Sequence, residues 1–159
     1  MHWLMYLSLV LITACATPPF DLDGRDITYW TPVEALHEEG AQGALVMWGG
    51  QIVATDNYSE YSEITIVSLQ LDSAGRPQTD DQVGVRFVAR VDGFLEPVLY
   101  APGRYMTMLG HIDGSTHVDA GEALLQAPVI NAEALHLWPV NQRDWQSNVN
   151  FGLGVGIRL

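Results

Sequence analysis

Lysine is absent from all 159 residues, and seven arginines stand against 19 carboxylates, giving a net charge of −12. That balance excludes nucleic acid as a natural partner, because phosphate binding needs a basic footprint and a polyanion is repelled by so acidic a chain. Cysteine is nearly absent too. The single thiol, Cys15, leaves no internal disulfide to form and no Cys/His metal cluster to build. A membrane-crossing run is also missing. From Trp3 to Ala14 the chain is apolar apart from Ser8 and Thr13, a stretch of twelve, whereas a helix crossing the hydrocarbon of a bilayer needs roughly 20 residues. No HExxH, P-loop, GxGxxG or serine-elbow pattern occurs, so none of the common catalytic motifs is present.

What the short apolar run does fit is the core of a signal peptide over residues 1–14, although "MHW" supplies little of the usual basic start. The residues that follow explain the lone cysteine. Ile12-Thr13-Ala14-Cys15 resembles the bacterial lipobox, in which a branched residue and two small ones precede a cysteine that becomes lipidated. In proteins with this motif Cys15 becomes the first mature residue and carries the acyl chains, and two or more chains hold a protein stably on a bilayer. Ala16 stands where an Asp would signal retention in the inner membrane, which directs the expected anchor to the outer membrane, facing the periplasm. Residues 15–30 read as a tether kept extended by Pro18-Pro19. The "DLDGRD" within it does not meet calcium-loop spacing, because Arg25 occupies the fifth position from Asp21, where an oxygen ligand is required.

A single domain is expected over residues 31–140. Thr31-Pro32-Val33-Glu34 has the form of a capping box with proline in the first turn, so a short helix is predicted, stopped at Gly40. Thereafter the signals are those of strands: 44–54, 63–72, 83–91, 104–113 and 117–130, with bends at Gly49-Gly50 and in "DGFLEP", and "GST" at 114–116 as a short hairpin connection. The fold class is all-β. Five or six strands and one short helix predict a small OB-like antiparallel barrel, closed or nearly closed, since closure removes exposed strand edges. The tail, 141–159, contains "NFGLGVGIRL", whose large apolar residues alternate with glycine. That pattern predicts a strand which either pairs with the domain's own sheet or adds to the sheet of an envelope partner.

The series "WGGQI" (48–52), "EITIVSLQLDSAGRPQTDD" (63–81), "VRFVARVDGFLEPVLYAPGRYMTMLG" (85–110) and "HLWP" (136–139) resembles the starvation-inducible outer-membrane lipoprotein family, Slp. Trp48, Gly49, Gly50, Arg76, Pro77, Arg86, Phe87, Gly93, Phe94, Leu95, Pro97, Tyr100, Gly103, Arg104, Thr107 and Gly110 fall on the family pattern. It departs at Val85 for Gly, Glu96 for Asp and Met108 for Val. The resemblance implies a lipoprotein of the outer membrane induced in starvation or stress. It implies no reaction, no catalytic residue and no cofactor.

Two constellations are candidates for binding. Trp48-Gly49-Gly50 sets bare backbone beside an indole, which either forms a platform for a sugar or peptide together with Arg104 or, more commonly, packs as core. In "HIDGSTHVD", His111 with Asp113 and His117 with Asp119 stand two apart, each pair on one face of its strand. Joined by a turn at 114–116, the two pairs would offer two imidazoles and two carboxylates to a transition metal, the basis of an alternative reading as a lipid-tethered metal-binding protein or hydrolase. The plainer reading of that hairpin is a polar, solvated face.

Overall fold

The computed structural model describes residues 18–79 and 84–146. Its helix, α1 (Pro32–Ala35), is built as the capping box predicts: the Thr31 hydroxyl accepts from the Glu34 amide, and the Glu34 carboxylate accepts from the Thr31 amide at 2.7 Å. Pro32 and Ala35 are buried. The helix stops well before Gly40, because His37, Glu38 and Glu39 are all exposed and give a further turn nothing to bury.

Five strands follow: β1 (Leu45–Asn57), β2 (Tyr61–Leu69), β3 (Arg86–Asp92), β4 (Tyr105–Ala120) and β5 (Ala123–Leu137). They close into a barrel in the order β1-β2-β3-β5-β4, the small OB-like architecture that the strand signals predict. One junction corrects the expectation of an antiparallel barrel: β3 and β5 run parallel through Val88–Arg90 and Val129–Asn131. The cause is arithmetic, since a closed ring with an odd number of strands cannot alternate direction throughout.

β1 is the strand on which the barrel turns. Its first half pairs with β4, its second with β2, and Gly49, Gly50 and Gln51 pair on both sides. The bend expected at the two glycines is displaced; β1 runs through them unbroken, and the shift in register falls between Ile52 and Ala54. A second correction concerns "GST". No hairpin forms there, because β4 continues through it as a bulge between Ile112 and Ser115, with Gly114 at φ +80°, and the chain reverses only at Gly121 (φ +72°).

Alternation along the strands sends Val46, Trp48, Ile52, Ile64, Ile66, Phe87, Ala89, Met106, Met108, Ile112 and Ile130 into one core. Trp48 and Phe87 meet edge to face with centroids 5.3 Å apart. Leu95 enters this core from the β3–β4 connection, and Ala35 and Ala41 enter it from the segment before β1. Each fully buried side chain of this size contributes about 1.5–3 kcal/mol relative to exposure.

A second layer lies over the outside of β1 and β4. Thr107, between the core residues Met106 and Met108, is completely buried all the same. Covering it are the β2–β3 connection, held by a bridge from Leu71 to Pro77, and the segment after β5 that carries Trp138 and Trp145. Asp72 shapes that connection, its carboxylate accepting from the amides of Ala74 and Arg76 at 2.8 and 2.9 Å.

Candidate functional site

Trp48, Gly49 and Gly50 do not form a surface platform. The indole is 4% exposed, and its Nε1 donates to the Trp30 carbonyl at 2.7 Å, tying the segment before α1 to the barrel. The glycines are where they are because neighbouring backbone leaves no room. A Cβ on Gly50 would stand 1.9 Å from the Val67 carbonyl oxygen, and one on Gly49 2.7 Å from that of Met106. Trp48 and Gly49 do contribute to the wall of an open groove of about 420 Å³, bounded by residues 27–32 and 68–73 and flanked by Tyr29, which is 87% exposed.

Arg104, the fourth residue proposed for that surface, reaches inward. Its Nη1 donates to the Leu99 carbonyl at 3.0 Å and its Nη2 to the Trp138 carbonyl at 3.1 Å, clamping the β3–β4 connection to the chain leaving β5. As scarce cations in an acidic chain, Arg76, Arg86 and Arg90 are also candidates for internal pairing with residues such as Asp80, Asp81, Asp92 or Glu96, and two of them are engaged elsewhere. Arg90 pairs with Glu63 at 2.9 Å, directly across the β2–β3 ladder, and Arg86 donates to the Asp119 carbonyl. Asp80 and Asp81 lie outside the described residues.

His111, Asp113, His117 and Asp119 all lie on β4, in sequence along one strand, because the expected turn between the pairs does not form. The two pairs therefore do not face each other, and among the described residues no three His, Cys, Asp or Glu side chains converge on a common point. What the structure assembles instead is a polar strip across the outside of the sheet. His111 Nδ1 stands 2.9 Å from the Glu133 carboxylate, which also receives Arg25 at 2.5 Å from the tether. Asp113 accepts from Gln42 Nε2 at 3.0 Å and from Asn131 Nδ2 at 3.1 Å. His117 and Asp119 are exposed. Sequence reading missed Glu133, Arg25, Gln42 and Asn131, all distant in the chain from the residues they meet. The β4–β5 register sets His111 opposite Asn131, the bridge from Ile27 to Leu45 brings in Arg25, and the Gly43 amide bonding to the Ile112 carbonyl brings in Gln42.

One imidazole is held in an unusual setting. His136 packs edge to face on Trp138, with centroids 4.4 Å apart, and burial pushes its pKa below the ordinary value of 6.5.

Cys15, the stretch read as a signal peptide, and the glycine-alternating tail 151–159 expected to form a strand lie outside the described residues. Comparison with known proteins bears on the chain as a whole. Across 139 residues the chain is 29% identical to the uncharacterized lipoprotein YeaY of Escherichia coli K12, covering 84% of this chain and 70% of that one. It is 26% identical over 137 residues to the outer membrane protein Slp of the same organism, covering 83% and 71%. An uncharacterized protein of Haemophilus influenzae is 25% identical over 153 residues, covering 89% and 81%. Residues 12–152 match the outer membrane lipoprotein Slp family, and the match begins within the lipobox-like stretch. The chain belongs to the outer membrane lipoprotein Slp family.

Proposed function

We propose that this lipoprotein is a non-enzymatic binding or structural module of the bacterial envelope, held by acyl chains on Cys15, facing the periplasm and serving in starvation or stress. The observation that carries the reading is how the side chains are used. The barrel interior is packed with apolar side chains, among them Trp48 and Phe87, which meet edge to face. Arg104, Arg90 and Asp113 are spent on internal contacts that hold the fold. Such a protein acts through its outer surface.

Radiolabelled palmitate, followed by membrane fractionation of the native chain and Cys15→Ser, tests the anchor. Label in the outer-membrane fraction that vanishes in the variant supports it; an unlabelled native chain overturns it. Proteolysis of intact against permeabilised cells checks the orientation, and protection only in intact cells is the result expected of a periplasmic domain. The tail offers a partner-binding element: deleting 149–159 is expected to abolish an envelope association and leave the domain folded, whereas unfolding would make it a structural strand.

A further inference from the structure

At the end of β1 farthest from the tether the surface turns apolar. Tyr58 and Tyr61 flank the β1–β2 turn and stack on each other with centroids 4.8 Å apart, 49% and 36% exposed. Beside them stands Phe94, 68% exposed, and beyond it in the same connection Val98 and Leu99, 78% and 44% exposed. These side chains ride on a pinned backbone. The Gly93 amide donates to the Glu60 carbonyl at 2.9 Å, and the Asn57 side chain bonds both the amide and the carbonyl of Leu95 at 3.0 Å, so Phe94 is fixed between two anchored residues at the hairpin tip. Farther along, the Thr55 hydroxyl donates to the Tyr100 carbonyl at 2.8 Å and Arg104 holds that of Leu99. Large apolar side chains exposed at one end of a barrel on a backbone pinned by hydrogen bonds are the mark of an interaction site.

Its surroundings select the occupant. Asp56, Glu60, Asp92 and Glu96 are exposed around the patch, and among the described residues none of them has a cationic partner. The nearest cations are already engaged, Arg90 with Glu63 and Arg104 with two carbonyls. The tether meets the barrel at the other end. Ile27 of the tether bridges to Leu45, the first residue of β1, whereas the patch begins at its last, Asn57, up to roughly 40 Å along the strand at 3.3 Å per residue. An acidic rim also repels anionic lipid.

We propose that this end of the barrel docks a polypeptide segment in which arginine or lysine alternates with large apolar residues, the apolar side chains covering Phe94 and Val98 and the cations meeting the acidic rim. This deepens the reading of the protein as an envelope binding module and rests on it.

The test uses the full lipidated chain in detergent and three short fluorescent peptides, alternating Arg–Leu, Arg–Ser and Glu–Leu, read by anisotropy. Saturable binding of Arg–Leu alone is expected, weakened about tenfold or more in a Phe94→Ser/Val98→Ser variant. Because both side chains are exposed, that variant keeps its melting temperature. A Glu38→Gln/Glu39→Gln control at the α1 end is expected to bind as the native chain does. Equal binding of Arg–Ser, or no effect of the Phe94/Val98 change, would reduce the contact to diffuse charge and overturn the proposal. So would a native chain that sediments as a dimer and becomes monomeric in the variant, which would assign the patch to a second copy. Patch-dependent binding to phosphatidylglycerol vesicles without peptide binding would assign it to lipid, again against the proposal. Failure of any of these leaves palmitate labelling at Cys15 untouched, so the two readings fail separately.

Discussion

Thr107 and Trp138 share one buried hydroxyl: the indole Nε1 donates to Thr107 Oγ1 at 2.9 Å, and that oxygen donates in turn to the Gly75 carbonyl at 2.6 Å. Three segments far apart in sequence are thereby joined over the outside of β1 and β4. The same crowding explains Gly49, since a Cβ there would stand 3.0 Å from the Thr107 hydroxyl.

Thr107→Val keeps the shape and removes the hydroxyl, stranding a buried indole N–H and a buried carbonyl. Each such group costs about 1–3 kcal/mol. Urea denaturation is expected to show a loss of about 2–4 kcal/mol, with Thr107→Ser close to native. A near-neutral Thr107→Val would mean that water replaces the hydroxyl.

The glycines provide a graded series. In Gly50→Ala the new methyl meets rigid backbone at 1.9 Å, so the β1–β2 ladder must part and the loss should exceed about 4 kcal/mol. Gly40→Ala has open space around it and suffers only from φ +97°, a cost of about 1–2 kcal/mol. Thermal melting of the two variants orders them; a reversed order would overturn the packing account of Gly50.

Arg104→Met retains the apolar stem and abolishes both guanidinium bonds. Hydrogen exchange in 93–104 is expected to accelerate well beyond that in the barrel strands, with a loss of about 1–2 kcal/mol overall. Arg104→Lys should behave nearly as badly, because a single ammonium cannot span the Leu99 and Trp138 carbonyls. Unchanged exchange would show that the connection is held without the clamp.

The depressed pKa of His136 has a definite sign. Below the ordinary value of 6.5 the unfolded chain takes up the proton more readily than the folded one, so stability falls as pH drops from there toward the folded value. His136→Gln is expected to flatten that part of the melting-temperature profile, leaving the slope due to carboxylates at lower pH. A profile identical to the native one would place the acid sensitivity on other groups.

Much of this protein was legible from local chemistry. The capping box at Thr31 and Glu34 depends on residues three apart, and the alternating strands carry their burial in their own pattern. The series from Trp48 to Gly110 that carries the family resemblance is likewise a pattern along the chain. None of these needs a distant partner, which is why they can be read without one.

The rest depended on what closure brings together. Whether "GST" turns or bulges was decided by the β4–β5 pairing, which rewards continuing β4 to Ala120 over reversing at Gly114. Whether Trp48 faces water or Phe87 was decided by what packs on it, Phe87 from β3 and the Trp30 carbonyl from the segment before α1. An odd number of strands in a ring forces one parallel junction, and the strand order places it between β3 and β5. The polar strip of Arg25, Glu133 and His111 exists because closure brings the tether, β5 and β4 side by side. Local sequence sets the energies of single turns and strands, but such contacts are chosen by the free energy of the whole ring, and only the tertiary structure contains it.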